Sequence, residues 1–484
     1  MIDKGVLMSR VLRAFLPIVA IFCASLAANA QTPPSPETPL HITPKDAVDM
    51  VIRNNLSLET ARISLGIQKR RADLVWNQFL PTVGVDGTAS RANQPNTTPG
   101  MTIPLPAPFP PIETPSRTLP QWNLTGRFSA NLDFSFALIQ GIAAIRNEYL
   151  GGIVTFEKAQ LKIEQGVLKM YNNILLLQAN LALLEESYLN TQRQAIQAEA
   201  SFRAGLAPRL VWLQAQVAVE NMRPAVNDLR NNLESLTGNF ALLLGLPYDT
   251  LFSLQPIAFG TSAIPGDTAA LISQAAAGKP DIRELRAAIV AQQSQRKALR
   301  LQHFTPFLRL SWVTSSMFNP QLDPFTDNLF SGDNWQPGGQ FALTLGMNLN
   351  SLFPFTKEGQ QRRELDDSLR IQNIRLAQAI QETELEIFTT INSLERIRVT
   401  TEVQQATVFL AEESFRLSEE AFRAGLQDFM AVQNAALALD QARLRVLTEQ
   451  FNYLNYLIDL EYSLGIPFGT LSSSGTSSSG TSNN

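Results

Sequence analysis

Cysteine and histidine, the side chains most used as metal ligands and as nucleophile or base near neutral pH, are nearly missing from this chain of 484 residues. Cysteine occurs once, at Cys23, and histidine twice, at His41 and His303. Three such residues far apart in sequence offer a transition metal almost no ligands. No nucleophile–base pair, metal cluster or phosphate-cradling loop is legible, and lone carboxylates on helices read as solvated faces. An enzyme is therefore the least expected class, and no cofactor or metal is expected. The chemistry that does recur is conformational. Ser201-Phe202-Arg203-Ala204-Gly205-Leu206 returns 220 residues later as Ala421-Phe422-Arg423-Ala424-Gly425-Leu426. At the same offset Leu244-Gly245-Leu246-Pro247 returns as Leu464-Gly465-Ile466-Pro467. An offset held without a gap from one motif to the next means duplication. Glycine at these points suits a sharp helix reversal, which favours positive φ.

The elements that carry these turns are long helices. Thr43-Pro44-Lys45-Asp46 opens the first short one: Thr43 can cap it, Pro44 suits the first turn, and Asp46 completes a capping-box pattern. Asn54-Asn55 ends it, and a second helix over 57–78 stops at Pro81. The second half matches with 267–277, a break at Gly278-Lys279-Pro280, and 281–302 before Pro306. Long stretches follow at 142–203 and 208–244, and again at 357–423 and 428–464. The first spans on the order of 90 Å at about 1.5 Å per residue. Phe156, Val167, Tyr171, Ile174 and Leu181 give it one apolar face. Ala215, Ala218 and Ala225, with Ala435, Ala438 and Ala442, allow close packing of the return helices. Such stretches predict coiled-coil-like packing.

Between the short and long helices the period changes to two. Phe128, Ala130, Leu132, Phe134 and Phe136 alternate with Ser129, Asn131, Asp133 and Ser135. Phe341, Leu343, Leu345, Met347 and Leu349 alternate with Ala342, Thr344, Gly346, Asn348 and Asn350. Weaker partners precede each: Val83 and Val85, and Leu308, Leu310 and Trp312. The pattern fits a membrane-barrel strand, apolar outside and polar inside; a soluble sheet with one wet face alternates in the same way. The sequence carries no evident hydrophobic spanning helix. The segment 91–125 holds nine prolines and reads as an exposed, extended loop. A second loop covers 318–338. Long loops on one side of a barrel belong outside the cell.

Residues 1–30 read as a secretory signal: Lys4, Arg10 and Arg13, then an apolar run, then Ala28-Asn29-Ala30. An N-terminal anchor is the alternative, for which the run is short. Removing Lys4, Arg10, Arg13 and Asp3 leaves 36 basic against 42 acidic residues, a net charge of −6. That balance excludes nucleic acid as an expected partner. Charged residues make up 17%, below the usual value of about 25%, as buried helices and lipid-facing strands require. The domain reading is signal (1–30), first repeat (31–250), second repeat (251–469) and a disordered Ser/Gly-rich tail (470–484). Four strands cannot close a barrel, and open edges are not tolerated in lipid. Two copies would give eight strands and three would give twelve.

The repeat, the strand pairs and the helix breaks resemble the TolC-type outer-membrane efflux proteins over nearly all of residues 41–468. Ile42-Thr43-Pro44-Lys45-Asp46-Ala47-Val48 with Asn54-Asn55 looks like the family's opening. Lys279-Pro280-Asp281-Ile282 looks like the start of its second repeat, and the two Phe-Arg-Ala-Gly-Leu motifs look like its hairpin tips. The resemblance implies an α+β membrane protein. Long antiparallel helical hairpins would form a periplasmic α-barrel, and four strands per chain would enter a twelve-stranded outer-membrane β-barrel shared by a homotrimer. It implies a passive exit duct in the outer membrane of a Gram-negative bacterium. Its partners would be a periplasmic adaptor, an inner-membrane transporter and outer-membrane lipid. Arg203, Ala204, Gly205 and Leu206, with Arg423, Ala424, Gly425 and Leu426, would be the adaptor-contact tip.

The chain departs from the family just past the tip, where better-known members carry a ring of acids. Here stand Ala207-Pro208-Arg209-Leu210-Val211 and Gln427-Asp428-Phe429-Met430-Ala431. Asp428 either rings the pore and favours cations or caps the following helix. Leu210, Phe429 and Met430 suggest an apolar constriction instead. Small-molecule efflux is the expected function. A type I protein-secretion duct and a non-transporting trimeric envelope protein are the alternatives.

Overall fold

The computed structural model describes residues 40–94, 97–118, 122–257, 267–318 and 335–471. The signal reading, most of the second loop and the tail beyond Leu471 lie outside the described residues. Within them one order of elements occurs twice. The first unit runs through β1 (Leu40–Ile42), α1 (Pro44–Asn54), α2 (Leu56–Asp73) and β2 (Thr82–Arg91). It continues through four short strands, β3 (Thr97–Thr98), β4 (Met101–Ile103), β5 (Ile112–Thr114) and β6 (Arg117–Thr118). It ends with β7 (Trp122–Ser135), α3 (Phe136–Arg203) and α4 (Arg209–Leu243). The second unit runs through β8 (Phe252–Leu254), α5 (Thr268–Gly278), α6 (Pro280–Phe304), β9 (Phe307–Phe318) and β10 (Trp335–Gly346). It closes with α7 (Lys357–Arg423) and α8 (Phe429–Leu464).

Local chemistry starts and stops these elements where the sequence places it. The Thr43 hydroxyl accepts from the Asp46 N–H at 3.1 Å, and the Asp46 carboxylate accepts from the Thr43 N–H at 3.2 Å. This reciprocal pair is a capping box. Asn55 caps α2 by accepting from Ser57 and Leu58. Before Pro81 the chain tightens into a 3₁₀ turn, Val75–Phe79. α3 has 68 residues and α7 has 67, about 100 Å each.

The four long strands form one antiparallel sheet in the order β10-β9-β7-β2. The repeats therefore interlock, with β7 of the first paired to β9 of the second at the centre. Register aligns the alternation across all four strands. Ala130 faces Val83 and Trp312, Leu132 faces Leu310, and Phe134 faces Leu308. Phe341, Leu343 and Leu345 continue the same rows opposite Trp312, Leu310 and Leu308. Toward the helices this face is thus apolar across the strands, Thr314, Ser316 and Arg91 lying farther along it, and it is uncovered: Val85 is 80% exposed and Leu345 73%.

Four sequence expectations change. The alternation ends earlier than its pattern, since Phe136 starts α3, Met347 lies beyond β10 and Leu349 opens a 3₁₀ turn. A spacing of two does not mark the last residue before a helix. The proline-rich segment is not simply extended: β3 pairs with β6 and β4 with β5, and its described prolines lie outside those strands. The tail begins later than 470. Buried Glu461 accepts from the N–H groups of Gly469 and Leu471 at 2.9 and 2.8 Å, fixing that stretch on α8. Finally, α3 does contain an 18-residue window apolar enough to cross a membrane by length and composition. That window lies in a helix packed along α4, α6 and α8.

The main core lies where the short elements meet the long helices. Tyr171, Ile174, Phe240, Leu244, Ile42 and Val51 pack together there. The Tyr171 hydroxyl lies 2.9 Å from the Ile42 carbonyl and 2.8 Å from that of Gln255, tying α3 to the parallel β1–β8 pair. Burial pushes its pKa up to about 12, so it stays a donor. A second cluster of Ile387, Leu394, Ile397, Tyr453, Leu457 and Leu460 joins α7 to α8.

Candidate functional site

Each of the four repeated glycines ends a long helix in the left-handed region: Gly205 at φ 75°, Gly245 at 76°, Gly425 at 74° and Gly465 at 68°. At the first tip, Leu206 N–H reaches Ser201 O at 2.8 Å and Gly205 N–H reaches Phe202 O at 2.9 Å. At the second, Leu426 N–H reaches Ala421 O at 2.8 Å and Gly425 N–H reaches Phe422 O at 2.9 Å. Both are Schellman ends, which satisfy the last helical carbonyls while the chain reverses. A Cβ at Gly205 or Gly425 meets nothing within 4 Å, so backbone conformation alone calls for glycine there. Gly245 differs. It lies against α1, where a Cβ would come within 2.5 Å of the Asn54 side chain. The repeated motifs thus do two jobs, turning the chain at the tips and docking helix ends near the core.

The basic residues of the tip repeat as well. Arg203 pairs with Glu199 at 2.5 Å and Arg423 with Glu419 at 2.7 Å, each one helical turn back. Ala204 and Ala424 are the C-cap residues. Leu206 and Leu426 project into solvent, 84% and 80% exposed.

The two hairpins meet just behind the tips. Phe429 is 1% exposed and packs with Ala198 and Ala215, flanked by Val211, Ala218 and Phe422. Its ring meets Phe422 edge-on at 6.1 Å. In the first hairpin Phe202 instead stacks on Trp212 at 5.5 Å. Phe429 is therefore interior packing rather than a surface able to line a constriction. The sequence hides this, because Arg209 occupies the matching position in the first repeat. Leu210 is 63% exposed and Met430 45%. Asp428 is the N-cap of α8, its carboxylate accepting from the Ala431 N–H at 2.9 Å. Its counterpart Pro208 makes no side-chain cap. Farther along, Ser187 donates to Asp440 at 2.6 Å, and burial raises the Asp440 pKa.

The polar face of the sheet forms the second part of the site. Cross-strand register sets Asp133 opposite Arg309, with Oδ1 and Nε 2.6 Å apart. It also sets Asp86 opposite Arg127, and Asn131 opposite both Thr82 and Ser311. Among the described residues no cluster of His, Cys, Asp and Glu could hold a metal.

An apolar sheet face, a polar reverse face and helices about 100 Å long are the parts a membrane barrel with a helical extension needs. The family model for outer membrane efflux proteins matches residues 47–246 and again 271–466, and the chain belongs to that family. Membership places it in the outer membrane. No curated protein sequence matches it. Among solved structures it is similar to the CmeC outer-membrane channel of Campylobacter jejuni, with a TM-score of 0.67 and 16% identity over 90% of this chain and 89% of that one. VceC of Vibrio cholerae gives a TM-score of 0.66 and 16% identity over 88% and 96%. The open state of the MtrE channel of Neisseria gonorrhoeae gives 0.63 and 15% over 87% and 89%. At these identities the likeness concerns the fold.

Proposed function

We propose that three copies close a twelve-stranded barrel and a helical tunnel, forming the exit duct of a tripartite efflux system. The observation that carries this reading is the four-stranded sheet, bare at both edges, β2 and β10, and apolar on one face apart from Thr314, Ser316 and Arg91. Lipid does not tolerate bare edges, and pairing β2 of one copy with β10 of the next removes them all. A second observation supports association along the tunnel. Exposed apolar residues recur on α7 at heptad-like spacings: Ile371 and Ile374, Leu385 and Phe388, Val399, then Val403, Leu410 and Leu417. Such a stripe on a long helix is the seam of a coiled coil.

In this assembly the tips at Arg203–Leu206 and Arg423–Leu426 form the periplasmic end. Exposed Leu206 and Leu426 are the contact for a periplasmic adaptor that links the duct to an inner-membrane transporter. Leu210 and Met430 supply the apolar constriction, braced from behind by Phe429. The duct is passive, and the transporter supplies the energy.

The test is mass measurement of the purified protein in detergent, with single-channel recording in a planar bilayer. The expected result is a trimer of small conductance, which rises when Leu210 and Met430 are both replaced by serine. A trimer that never conducts in either form rejects the duct.

A further inference from the structure

Of the 24 described residues per chain on the polar sheet face, four carry charge, and they fall into two levels. Near the helical end, Asp133 and Arg309 lie opposite each other and form an ion pair at 2.6 Å. Six residues farther along β7, Arg127 lies opposite Asp86. All other described positions in phase with them are neutral, among them Thr88, Thr125, Ser129, Asn131, Ser311, Ser315, Gln340 and Thr344. Each level therefore holds one acid and one base. Six residues of strand separate the levels by about 20 Å along the chain, well beyond the screening length of about 10 Å at 0.1 M salt. Each level must then be neutral by itself, and each is.

We propose that the barrel lumen is lined by two electroneutral tiers, Asp133–Arg309 and Asp86–Arg127, so that the exit admits cationic, anionic and zwitterionic solutes alike. This rests on the trimeric-duct reading, in which each tier holds three acids and three bases. A lumen with unpaired charge of one sign builds a potential that excludes solutes of that sign. Here the base directly opposite each acid removes that potential at its source. Arg309 and Asp133 are specificity-determining residues in this account, and their role is to cancel each other.

The experiment uses the absence of any cysteine other than Cys23. Ser311→Cys places a thiol on the polar face, one same-face position from Arg309. Purified trimer is treated with a cationic and an anionic methanethiosulfonate reagent of similar size, and the two rates are compared. The unaltered tier is expected to give a rate ratio close to that of a free thiol. Arg309→Gln should raise the cationic-to-anionic ratio, Asp133→Asn should lower it, and the two together should restore it. A change in local potential of about one kT alters this ratio about seven-fold. A ratio that ignores both single variants overturns the tiers while leaving the duct standing. A thiol that reacts with neither reagent until the protein is denatured overturns the lumen itself, and the tiers with it.

Discussion

Gly465 and Gly278 meet backbone to backbone. A Cβ on Gly465 would overlap the Gly278 carbonyl, and one on Gly278 would lie 2.6 Å from the Leu464 carbonyl. The break between α5 and α6 is thereby seated on the end of α8. Gly425 shares the left-handed φ of Gly465 but has open space around it. Gly425→Ala should cost about 1 kcal/mol, the price of φ alone. Gly465→Ala should cost at least about 1 kcal/mol more, because backbone must also move. Thermal melting of the two variants in detergent compares them directly, and equal losses would refute the contact.

Asp428 caps α8 in this structure, so its removal should be felt in the first turn of that helix. Asp428→Ala is expected to lose about 1 kcal/mol, and Asp428→Asn to lose little, since asparagine caps as well. Hydrogen exchange at Met430 to Val432 reads this. A pore ring would predict instead that the asparagine variant changes ion selectivity.

Lys158 on α3 contacts Asp281 and Glu284 on α6, each at 2.7 Å, and Tyr462 donates to Asp281 at 3.0 Å. This links the first repeat to the second. Burial opposes both charges, yet the ion pair outweighs it: the Asp281 pKa is lowered and the Lys158 pKa raised. A lowered carboxylate stabilises above its unfolded pKa and loses that stability as pH falls through its folded value. A raised ammonium stabilises below its unfolded pKa and loses that above its folded value. The link is therefore intact across neutral pH and fails first in acid, below about pH 4. Allowing for screening of the partly exposed carboxylates, Lys158→Met should cost about 1 kcal/mol at pH 7. The gap from the unaltered protein should narrow at pH 3. A gap of the same size at both values would remove the link from the account.

Leu410 is 67% exposed toward the C-terminal end of the α7 stripe. Leu410→Asp should leave the helical content of the chain unchanged but disperse the proposed trimer, read by mass measurement in detergent. Gln405→Asp is the control off the stripe and should remain assembled.

Much of this architecture was legible because it rests on local chemistry. The Thr43–Asp46 cap, the left-handed glycines and the period-two strands each depend on residues a few positions apart. What stayed hidden depends on neighbours distant in sequence. Nothing near Phe429 says that Ala198 and Ala215 will cover it, and the pattern around Asp133 does not name Arg309, 176 residues away. The β7–β9 pairing that joins the repeats belongs to the same class. The short ladders within the proline-rich segment were masked by composition, since nine prolines argue against any pairing until their positions outside the strands are known.

The bare edges of β2 and β10 also bear on how the protein reaches its membrane. A single folded chain has no stable place in lipid, because each edge would carry unpaired backbone groups into hydrocarbon. In the proposed barrel, membrane entry and association are then one event rather than two. The rate at which ducts appear should climb more steeply than in proportion to the supply of exported chains.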